Sequence, residues 1–384
     1  MVLPVFIVLL IVSLYTLAIF CFALKLYRLK APANRDAETM DPDAMEPEIS
    51  SKVSILIPFK NERRTLPYLV NDLLEQTYPA EKMDILFIND HSEDGSRVIF
   101  ESVSSKQTTF SCLDLPDGKH GKKEALAHGI EQAATKWIIQ IDADCRIGPG
   151  FVASHMAFLE RNPSDLVAGL VTTDEGRGGF LEQFERLDQI SLAGVGAASF
   201  QLGRAMMCSG ANLVYSKELY FNTRVYDPSR QLASGDDMFL MIGARKLDKT
   251  LSFNLDRDSV VRTTPVLTMR SFLDQRIRWG AKSTHYKMPD IQLLAILVAL
   301  TNVFLLLYPL GLVLYPEIWW CFLGSWMAKT GADFMLLYRV SAYTKQRKSM
   351  KFFLPVAIVY YPLYLVIIIS LIFRKPSWES KRIS

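Results

Sequence analysis

Apolar positions gather near the two ends of the chain in long stretches, whereas the middle alternates short apolar runs with amphipathic segments. Three stretches have the length and composition of membrane-spanning helices, namely residues 3–24, 291–314 and 352–373. Residues 316–338 are nearly as apolar but contain Lys329 and Asp333. At this i, i+4 spacing on a helix, the two charges either pair with each other or face a polar groove. The pattern therefore predicts a membrane protein with three or four spans.

The first apolar stretch has no basic leader and no small-residue cleavage site, which favours a retained anchor over a signal peptide. Lys25 and Arg28 follow it, so the next residues are expected in the cytosol. The basic loop 339–351 is expected on the same side. A fourth full span puts the basic tail outside, against the positive-inside tendency, and Pro355 and Pro362 leave open a broken or re-entrant last segment.

The middle of the chain has the periodicity of an α/β protein. Apolar runs of strand length occur at residues 53–57, 84–88, 137–141 and 166–171. Helical patterns occur at residues 62–76, 94–103, 122–134, about 180–200 and 236–248. Strands and helices that alternate at this spacing predict a mostly parallel sheet with helices on both faces.

These patterns divide the chain into six regions. They are an N-terminal transmembrane anchor (1–30), a linker rich in Pro, Ala, Asp and Glu (31–50), a cytosolic α/β domain (51–262), amphipathic interface helices (263–290), a C-terminal transmembrane region (291–373) and a basic tail (374–384).

Composition adds limits on partners and compartment. The net charge is only +3, but basic residues crowd beside the apolar stretches, which indicates anionic lipid headgroups. The soluble part shows no face of Lys and Arg interleaved with aromatic residues, so nucleic acid is not an expected partner. The five cysteines lack the spacing of a metal site, and reduced thiols in a cytosolic domain are expected.

Asp142 and Asp144 end the apolar run that begins at Trp137. Such a run reads as a buried parallel strand, and open α/β sheets bind ligands at the carboxyl ends of their strands. Two carboxylates there are suitable ligands for Mg²⁺ or Mn²⁺ against a diphosphate, although Asp-x-Asp is also a common surface turn.

Two other strand ends carry polar clusters. The first strand is followed by Pro58-Phe-Lys-Asn61-Glu62 and the second by Asn89-Asp90-His-Ser-Glu-Asp94. The first lacks the glycine-rich turn of a dinucleotide-binding oxidoreductase, and no P-loop motif occurs in the chain. The three strand ends predict one acidic crevice suited to a nucleotide, while helix capping remains the alternative for each residue taken singly.

Two later motifs combine charge with helical spacing. Asp236 and Asp237 open a helical run, where the dipole stabilises a carboxylate and where one of them can act as a general base. Gln275, Arg278 and Trp279 share one side of a helix and suit a diphosphate and an acceptor ring. The alternative is an amphipathic helix that places Arg276, Arg278 and Lys282 at lipid headgroups.

These motifs, in this order, resemble membrane-bound inverting glycosyltransferases of family 2 with a GT-A fold, the group of cellulose, chitin and hyaluronan synthases and ceramide glucosyltransferase. The resemblance covers residues 51–282 and includes Gly121-Lys122. Asn89 stands where the family usually has Asp, and Asp236-Asp237 replaces the commoner Glu-Asp pair.

The resemblance implies a role for each motif. Glu62 and Asp90 would hold the nucleoside together with Pro58, Asn61 and Asn89, and Lys122 would lie near them. Asp142 would contact the nucleotide and the metal, and Asp144 would be the principal ligand of Mg²⁺ or Mn²⁺. Asp237, beside Asp236, would be the catalytic base. Gln275, Arg278 and Trp279 would brace the diphosphate and the acceptor.

The resulting hypothesis is transfer of a sugar from a nucleoside-diphosphate sugar, most often UDP in this family, to a lipid, lipid-linked or polysaccharide acceptor at the cytosolic membrane face. The alternatives are a processive polysaccharide synthase and a non-catalytic nucleotide-binding membrane subunit; a transporter is disfavoured because the spans are few and unrepeated. The sugar, the acceptor and the oligomeric state are left open.

Overall fold

The computed structural model of the chain describes residues 2–29, 51–104, 109–174, 176, 178–224, 235–283 and 285–373. The predicted linker 31–50 and basic tail 374–384 lie outside these residues. The chain divides into two compact units. We call them the α/β unit (Lys30–Asp174 and Phe200–Thr264) and the helical unit (Met1–Leu29, Glu175–Ser199 and Pro265–Ser384).

The strands all fall in the α/β unit. In chain order they are β1 (Val53–Phe59), β2 (Met83–Asn89), β3 (Phe110–Asp114), β4 (Trp137–Gln140), β5 (Cys145–Arg146), β6 (Leu166–Gly169), β7 (Val171–Thr173), β8 (Leu213–Ser216), β9 (Leu251–Asn254) and β10 (Val261–Thr263). The α-helices are α1 (Val2–Arg28), α2 (Leu66–Leu74), α3 (Ser96–Ser104), α4 (Lys122–Gln132), α5 (Phe151–Arg161), α6 (Phe180–Gln201), α7 (Lys217–Thr223), α8 (Asp236–Lys246), α9 (Met269–Ser283), α10 (Pro289–Leu314), α11 (Trp319–Tyr343) and α12 (Phe353–Phe373).

The main sheet is mixed but mostly parallel, as predicted. Its strand order is β3-β2-β1-β4-β8-β6-β9, and β8 alone among its described strands runs antiparallel to both neighbours. A smaller sheet has the order β5-β10-β7. Strands β1, β2 and β4 pair in parallel, so their carboxyl ends meet at one edge of the sheet.

Helices cover both faces of this sheet. Every residue of β1 is buried, as the apolar run predicts for a central strand. On one face, Ile55 and Ile57 belong to the same buried cluster as Leu69 of α2. On the other face α4 lies so close that a Cβ on Gly129 would come within 2.8 Å of Ile88 Cδ1. The prediction of helices on both faces is confirmed.

The run 166–171, predicted as one strand, is two strands in different sheets. The cause is Asn212, whose buried side chain lies where a Cβ on Gly169 would approach it to 2.4 Å. The Asn212 amide donates to the Leu170 carbonyl, which also accepts from Val261 N of the smaller sheet. A residue far along the chain therefore splits the run.

Helices α2 and α3 begin later than predicted, and Asp94 accepts from Ser96 N just before α3.

A buried histidine links three segments of the α/β unit. His155 Nε2 lies 2.9 Å from Asn212 Oδ1, and the amide nitrogen of Asn254 lies 3.5 Å from His155 Nδ1. Because that amide group is a donor, Nδ1 is the acceptor and the imidazole is neutral. Burial lowers the pKa of His155 to about 4, although the hydrogen bond to Asn212 opposes this.

Acid is therefore expected to destabilise the α/β unit through His155. The folded pKa lies below the ordinary value, so the unfolded chain binds the proton more tightly, and stability is lost as pH falls from about 6.5 toward 4. Between pH 7 and pH 5, protonation of His155 in the unfolded chain lowers the free energy of unfolding by about 2 kcal/mol. Urea unfolding in detergent should show the loss in the wild type and a smaller one in His155→Gln. An identical loss in both proteins would contradict the assignment.

The helical unit contains three helices whose length and composition permit a membrane crossing among the described residues, with candidate spans Val5–Arg28, Pro289–Val313 and Arg347–Leu371. Helix α11 does not meet the same measure. Its Lys329 and Asp333 form an ion pair at 2.8 Å, and the Tyr15 hydroxyl of α1 donates to Asp333 at 2.8 Å. The alternative in which the two charges pair is confirmed.

Helix α12 runs unbroken from Phe353 to Phe373 with Pro362 inside it, so the broken alternative is wrong for this segment. Helix α1 ends at a specific contact. The Arg339 guanidinium of α11 donates to the carbonyls of Leu26 and Leu29, at 3.1 and 2.7 Å. A cation there satisfies carbonyls that the helix leaves unpaired.

Candidate active site

Asp142 and Asp144 lie directly beyond β4 at the carboxyl edge of the main sheet. Ile141 N still donates to the Leu56 carbonyl of β1, which holds the chain in register with the sheet to that point. Ala143 and Cys145 are buried, whereas both aspartates are half-buried. This alternation turns the two carboxylates away from the core. The Thr264 hydroxyl donates to the Asp144 carbonyl at 3.2 Å and so joins this turn to the end of β10.

Lys122, the first residue of α4, is the cationic partner of this group. Its ammonium forms an ion pair with Asp142 Oδ1 at 2.5 Å. Burial by itself would lower the pKa of Lys122, but the carboxylates of Asp142, Asp236 and Asp237 outweigh it and raise the pKa. Lys122 therefore stays charged, in contact with Asp142 and within electrostatic reach of Asp236 and Asp237.

Asp236 and Asp237 occupy the first turn of α8, where the helix dipole favours negative charge. Asp237 Oδ2 accepts from Gly210 N at 2.9 Å and its Oδ1 accepts from Met238 N at 2.8 Å. Asp236 Oδ2 accepts from the side-chain amide of Gln140 at 2.9 Å. Both carboxylates are thus held in fixed orientations.

Gln140 and Gly210 tie the two acidic segments together. Gln140 is buried in β4, and its carbonyl oxygen accepts from the Tyr215 hydroxyl at 3.1 Å while its amide holds Asp236. A Cβ on Gly210 would lie 2.7 Å from Gln140 Nε2, so this position has no room for a side chain. Gly210 lets the loop pass close enough for its N–H to reach Asp237.

The loops after β1 and β2 form a second polar cluster in the same unit. Asn61 has a positive φ of 57°; its N–H donates to Ser92 Oγ, and its side-chain oxygen accepts from Glu93 N. Asn89 donates to Asp114 Oδ1 and accepts from Ser92 N. Asn61 and Asn89, both predicted to contact the nucleoside, therefore fix the conformation of these two loops. Glu62 accepts from the Thr65 hydroxyl at 2.7 Å.

Asp90 is buried at the end of β2. Its N–H donates to the Phe59 carbonyl of β1, and its Oδ2 accepts from Gly121 N at 3.0 Å, directly before Lys122. Lys60 Nζ lies 3.8 Å from the same oxygen. Asp90 thus joins β1, β2 and the start of α4, and Pro58 lies within β1, paired in register with Ile88.

Gln275, Arg278 and Trp279 lie on α9 in the helical unit. Gln275 accepts from Arg276, and Arg276 forms a buried ion pair with Asp188 of α6. The Arg276 guanidinium also lies 4.3 Å from the Trp279 ring centroid. Placement of Arg276 at lipid headgroups is therefore wrong, because its charge is neutralised inside the unit. Burial lowers the pKa of Arg278.

A comparison with protein families finds that residues 54–221 match the model of glycosyl transferase family 2. These residues form a family-2 glycosyltransferase domain. The glycosyltransferase AglE of Haloferax volcanii is 31% identical over 134 residues, which are 33% of this chain and 41% of the relative. The poly(ribitol-phosphate) beta-N-acetylglucosaminyltransferase TarS of Staphylococcus aureus is 23% identical over 192 residues, which are 50% of this chain and 32% of the relative. The chain thus spans less than half the length of these two relatives.

The fold of the family-2 domain has a counterpart among solved structures. The mannosyltransferase PcManGT of Pyrobaculum calidifontis, solved in complex with GDP-Man and Mn²⁺, superposes with a TM-score of 0.50 at 12% identity. The superposition covers 95% of this chain and 99% of that one. At this identity the likeness concerns the fold alone, and it agrees with the predicted GT-A architecture.

The structure brings together four of the sequence-predicted residues of the α/β unit, namely Lys122, Asp142, Asp236 and Asp237. Sequence reasoning missed Gln140 and Tyr215. Gln140 did carry a signal, because a lone amide within an apolar strand must find a partner when it is buried. Tyr215 had none, because its partner Gln140 lies far away in sequence.

Proposed function

We propose that this protein is an inverting glycosyltransferase that moves a sugar from a nucleoside-diphosphate sugar to a lipid, lipid-linked or polysaccharide acceptor. The carboxylate cluster at the sheet edge carries this proposal. Asp142 follows β4, Asp236 and Asp237 open α8, and all three act electrostatically on Lys122. Segments 94 residues apart have no structural need to converge in this way, whereas transfer from a diphosphate donor needs both a cation site and a base.

The donor set fits a divalent metal ion. Carboxylate oxygens are the ligands that Mg²⁺ and Mn²⁺ prefer, and the cluster contains more carboxylates than the one ammonium of Lys122 balances. Asp144 and Asp142 would hold the ion, which supplies electrostatic stabilisation of the departing diphosphate. Lys122 is placed to contribute positive charge at the same place. Mg²⁺ and Mn²⁺ are equally suitable for this donor set.

The polar loops suit the nucleoside. Asp90 and Glu62 are proposed to bind it, and Asn61, Asn89 and Pro58 hold the loops that carry them. The family resemblance favours UDP as the nucleotide.

Asp237 is the proposed general base. Two backbone N–H groups orient its carboxylate, so that it can accept the proton of an attacking hydroxyl. Asp236 would position the neighbouring turn through Gln140. Gln275, Arg278 and Trp279 are proposed, from the order of the motifs, to brace the diphosphate and the acceptor.

Membrane helices favour a lipid or lipid-linked acceptor. Three candidate spans support a location in a bilayer, and the basic residues beside them favour a catalytic domain on the cytosolic side. Such an acceptor reaches the enzyme by diffusion in the membrane plane. So few transmembrane helices can hardly enclose a channel for a growing polymer, which favours single transfer over processive synthesis.

Purified full-length protein in nanodiscs should show a donor-specific rise in melting temperature with one nucleotide sugar when Mn²⁺ is present, and little rise without it. That donor, supplied with a membrane lipid extract, should yield a product one sugar heavier by mass spectrometry. A ladder of products would indicate processive synthesis. Donor binding without hydrolysis or transfer across many acceptors would contradict the enzyme and support a non-catalytic subunit.

A further inference from the structure

Two histidines flank the buried Asp90 at the end of β2. Asp90 Oδ1 lies 3.3 Å from His91 Nδ1 and 3.9 Å from His120 Nδ1. The three ligand atoms all lie within 4.8 Å of one another, and the two imidazole rings are 4.7 Å apart between centroids. Neither histidine belongs to the carboxylate cluster around Lys122. Asp90, His91 and His120 therefore place one oxygen and two nitrogen atoms that can bind a metal ion close together.

The spacing of Asp90 and His91 is that of neighbouring ligands in a tetrahedral metal site, and His120 lies slightly farther away. Zn²⁺ binds histidine nitrogen and carboxylate oxygen at about 2.0–2.1 Å, which places neighbouring tetrahedral ligands about 3.3–3.4 Å apart. The Asp90–His91 distance already has that value, and the His120 side chain is exposed and can close the remaining gap. Mg²⁺ prefers six oxygen ligands and is poorly served by two imidazoles.

The surroundings orient each ligand for this purpose. Gly121 N holds Asp90 Oδ2, so the other oxygen is the one that faces the two imidazoles. His91 Nε2 is buried and has no hydrogen-bond partner among the described residues, and Asp117 Oδ1 lies 3.7 Å from it. Histidines that bind a metal through one nitrogen commonly direct the other toward a carboxylate. Bound metal would fix this tautomer and draw Asp117 closer.

The backbone at His91 is also unusual, with a φ of 53° in the left-handed region. Residues other than glycine are uncommon there. The conformation lets consecutive side chains, Asp90 and His91, point to the same place, which an extended strand does not allow.

We propose that Asp90, His91 and His120 form a binding site for Zn²⁺ or a similar d-block divalent cation, with Asp117 as the outer partner of His91 and a fourth position open to water. This site differs in its ligand atoms from the carboxylate pair Asp142 and Asp144, and it shares Asp90 with the proposed nucleoside site.

Calorimetry with Zn²⁺ alone, on nucleotide-free full-length protein in nanodiscs and with excess Mg²⁺ to fill oxygen-donor sites, tests the site. One equivalent should bind, and Co²⁺ should give the visible absorption of a tetrahedral complex. His120→Gln and His91→Asn should each weaken binding by about 10²-fold, and Asp117→Asn by about tenfold. Asn is chosen at position 91 because it tolerates a positive φ.

His285→Ala, which removes an exposed histidine of the helical unit, should leave Zn²⁺ affinity unchanged. Equal affinity in the wild type and in the His91 and His120 variants would overturn the proposal. Loss of Zn²⁺ binding in Asp144→Asn with retention in His120→Gln would also overturn it, because the ion would then sit in the carboxylate cluster. The measurement involves no donor and no turnover, so its failure is distinct from failure of the proposed transfer reaction.

Discussion

Asp237→Asn is expected to lower kcat for sugar transfer by about 10²–10⁴-fold, the range in which a positioned general base contributes. The amide cannot take the proton of the acceptor hydroxyl. The donor KM should change little, because the nucleotide is bound by other residues. Initial rates at saturating acceptor, with donor binding followed separately by thermal shift, measure the two effects.

The control for this variant is Glu81→Gln, an exposed carboxylate of the same unit, which should keep wild-type rates. Asn at position 237 retains one acceptor oxygen for two backbone N–H groups, so the melting temperature should be recorded as well. Asp236→Asn distinguishes the two neighbours. Its oxygen can still accept from Gln140, so its rate should exceed that of Asp237→Asn. The reverse order would make Asp236 the base.

The strands β1, β2 and β4 were predictable because each is a run of apolar residues whose ends carry polar clusters. Strands β8 and β9 and the smaller sheet were not predicted. These strands are only two to four residues long. They also depend on pairing partners that are distant in sequence, as β8 does between β4 and β6. The split at Gly169 has the same origin, since Asn212 causes it from 43 residues away. Local periodicity contains no record of such contacts.

The candidate site shows the same division. Asp142, Asp144, Asp236 and Asp237 were recognisable because carboxylates at a strand end or in a first helical turn have a local pattern. Their convergence on Lys122, and the bridge from Gln140 to Asp236, depend on tertiary packing. One alternative from the sequence placed Arg276 at lipid headgroups. Its ion pair with Asp188, 88 residues earlier, could not be read from the amphipathic pattern of α9.

Asp144→Asn is expected to lower transfer by about 10²-fold or more and to raise the Mn²⁺ concentration needed for half-maximal rate. An amide oxygen is a neutral and weaker ligand than a carboxylate, so the ion is held less tightly and offsets less of the charge on the departing diphosphate. The wild type and the variant are first chelated exhaustively, and transfer rates are then measured across a Mn²⁺ titration. This measurement separates a lower affinity for Mn²⁺ from a lower maximal rate.

A variant of Lys122 provides a second test of the metal site. The Lys122 ammonium forms an ion pair with Asp142, one of the two proposed metal ligands, so the ammonium and the metal ion would share one carboxylate. Lys122→Met should therefore increase the affinity of the cluster for Mn²⁺ while it lowers the rate, because a positive charge near the diphosphate is lost. Asp144→Asn should lower both. If chelated wild-type protein retained full transfer, or if both variants moved Mn²⁺ affinity in the same direction, the metal would not be held by these carboxylates.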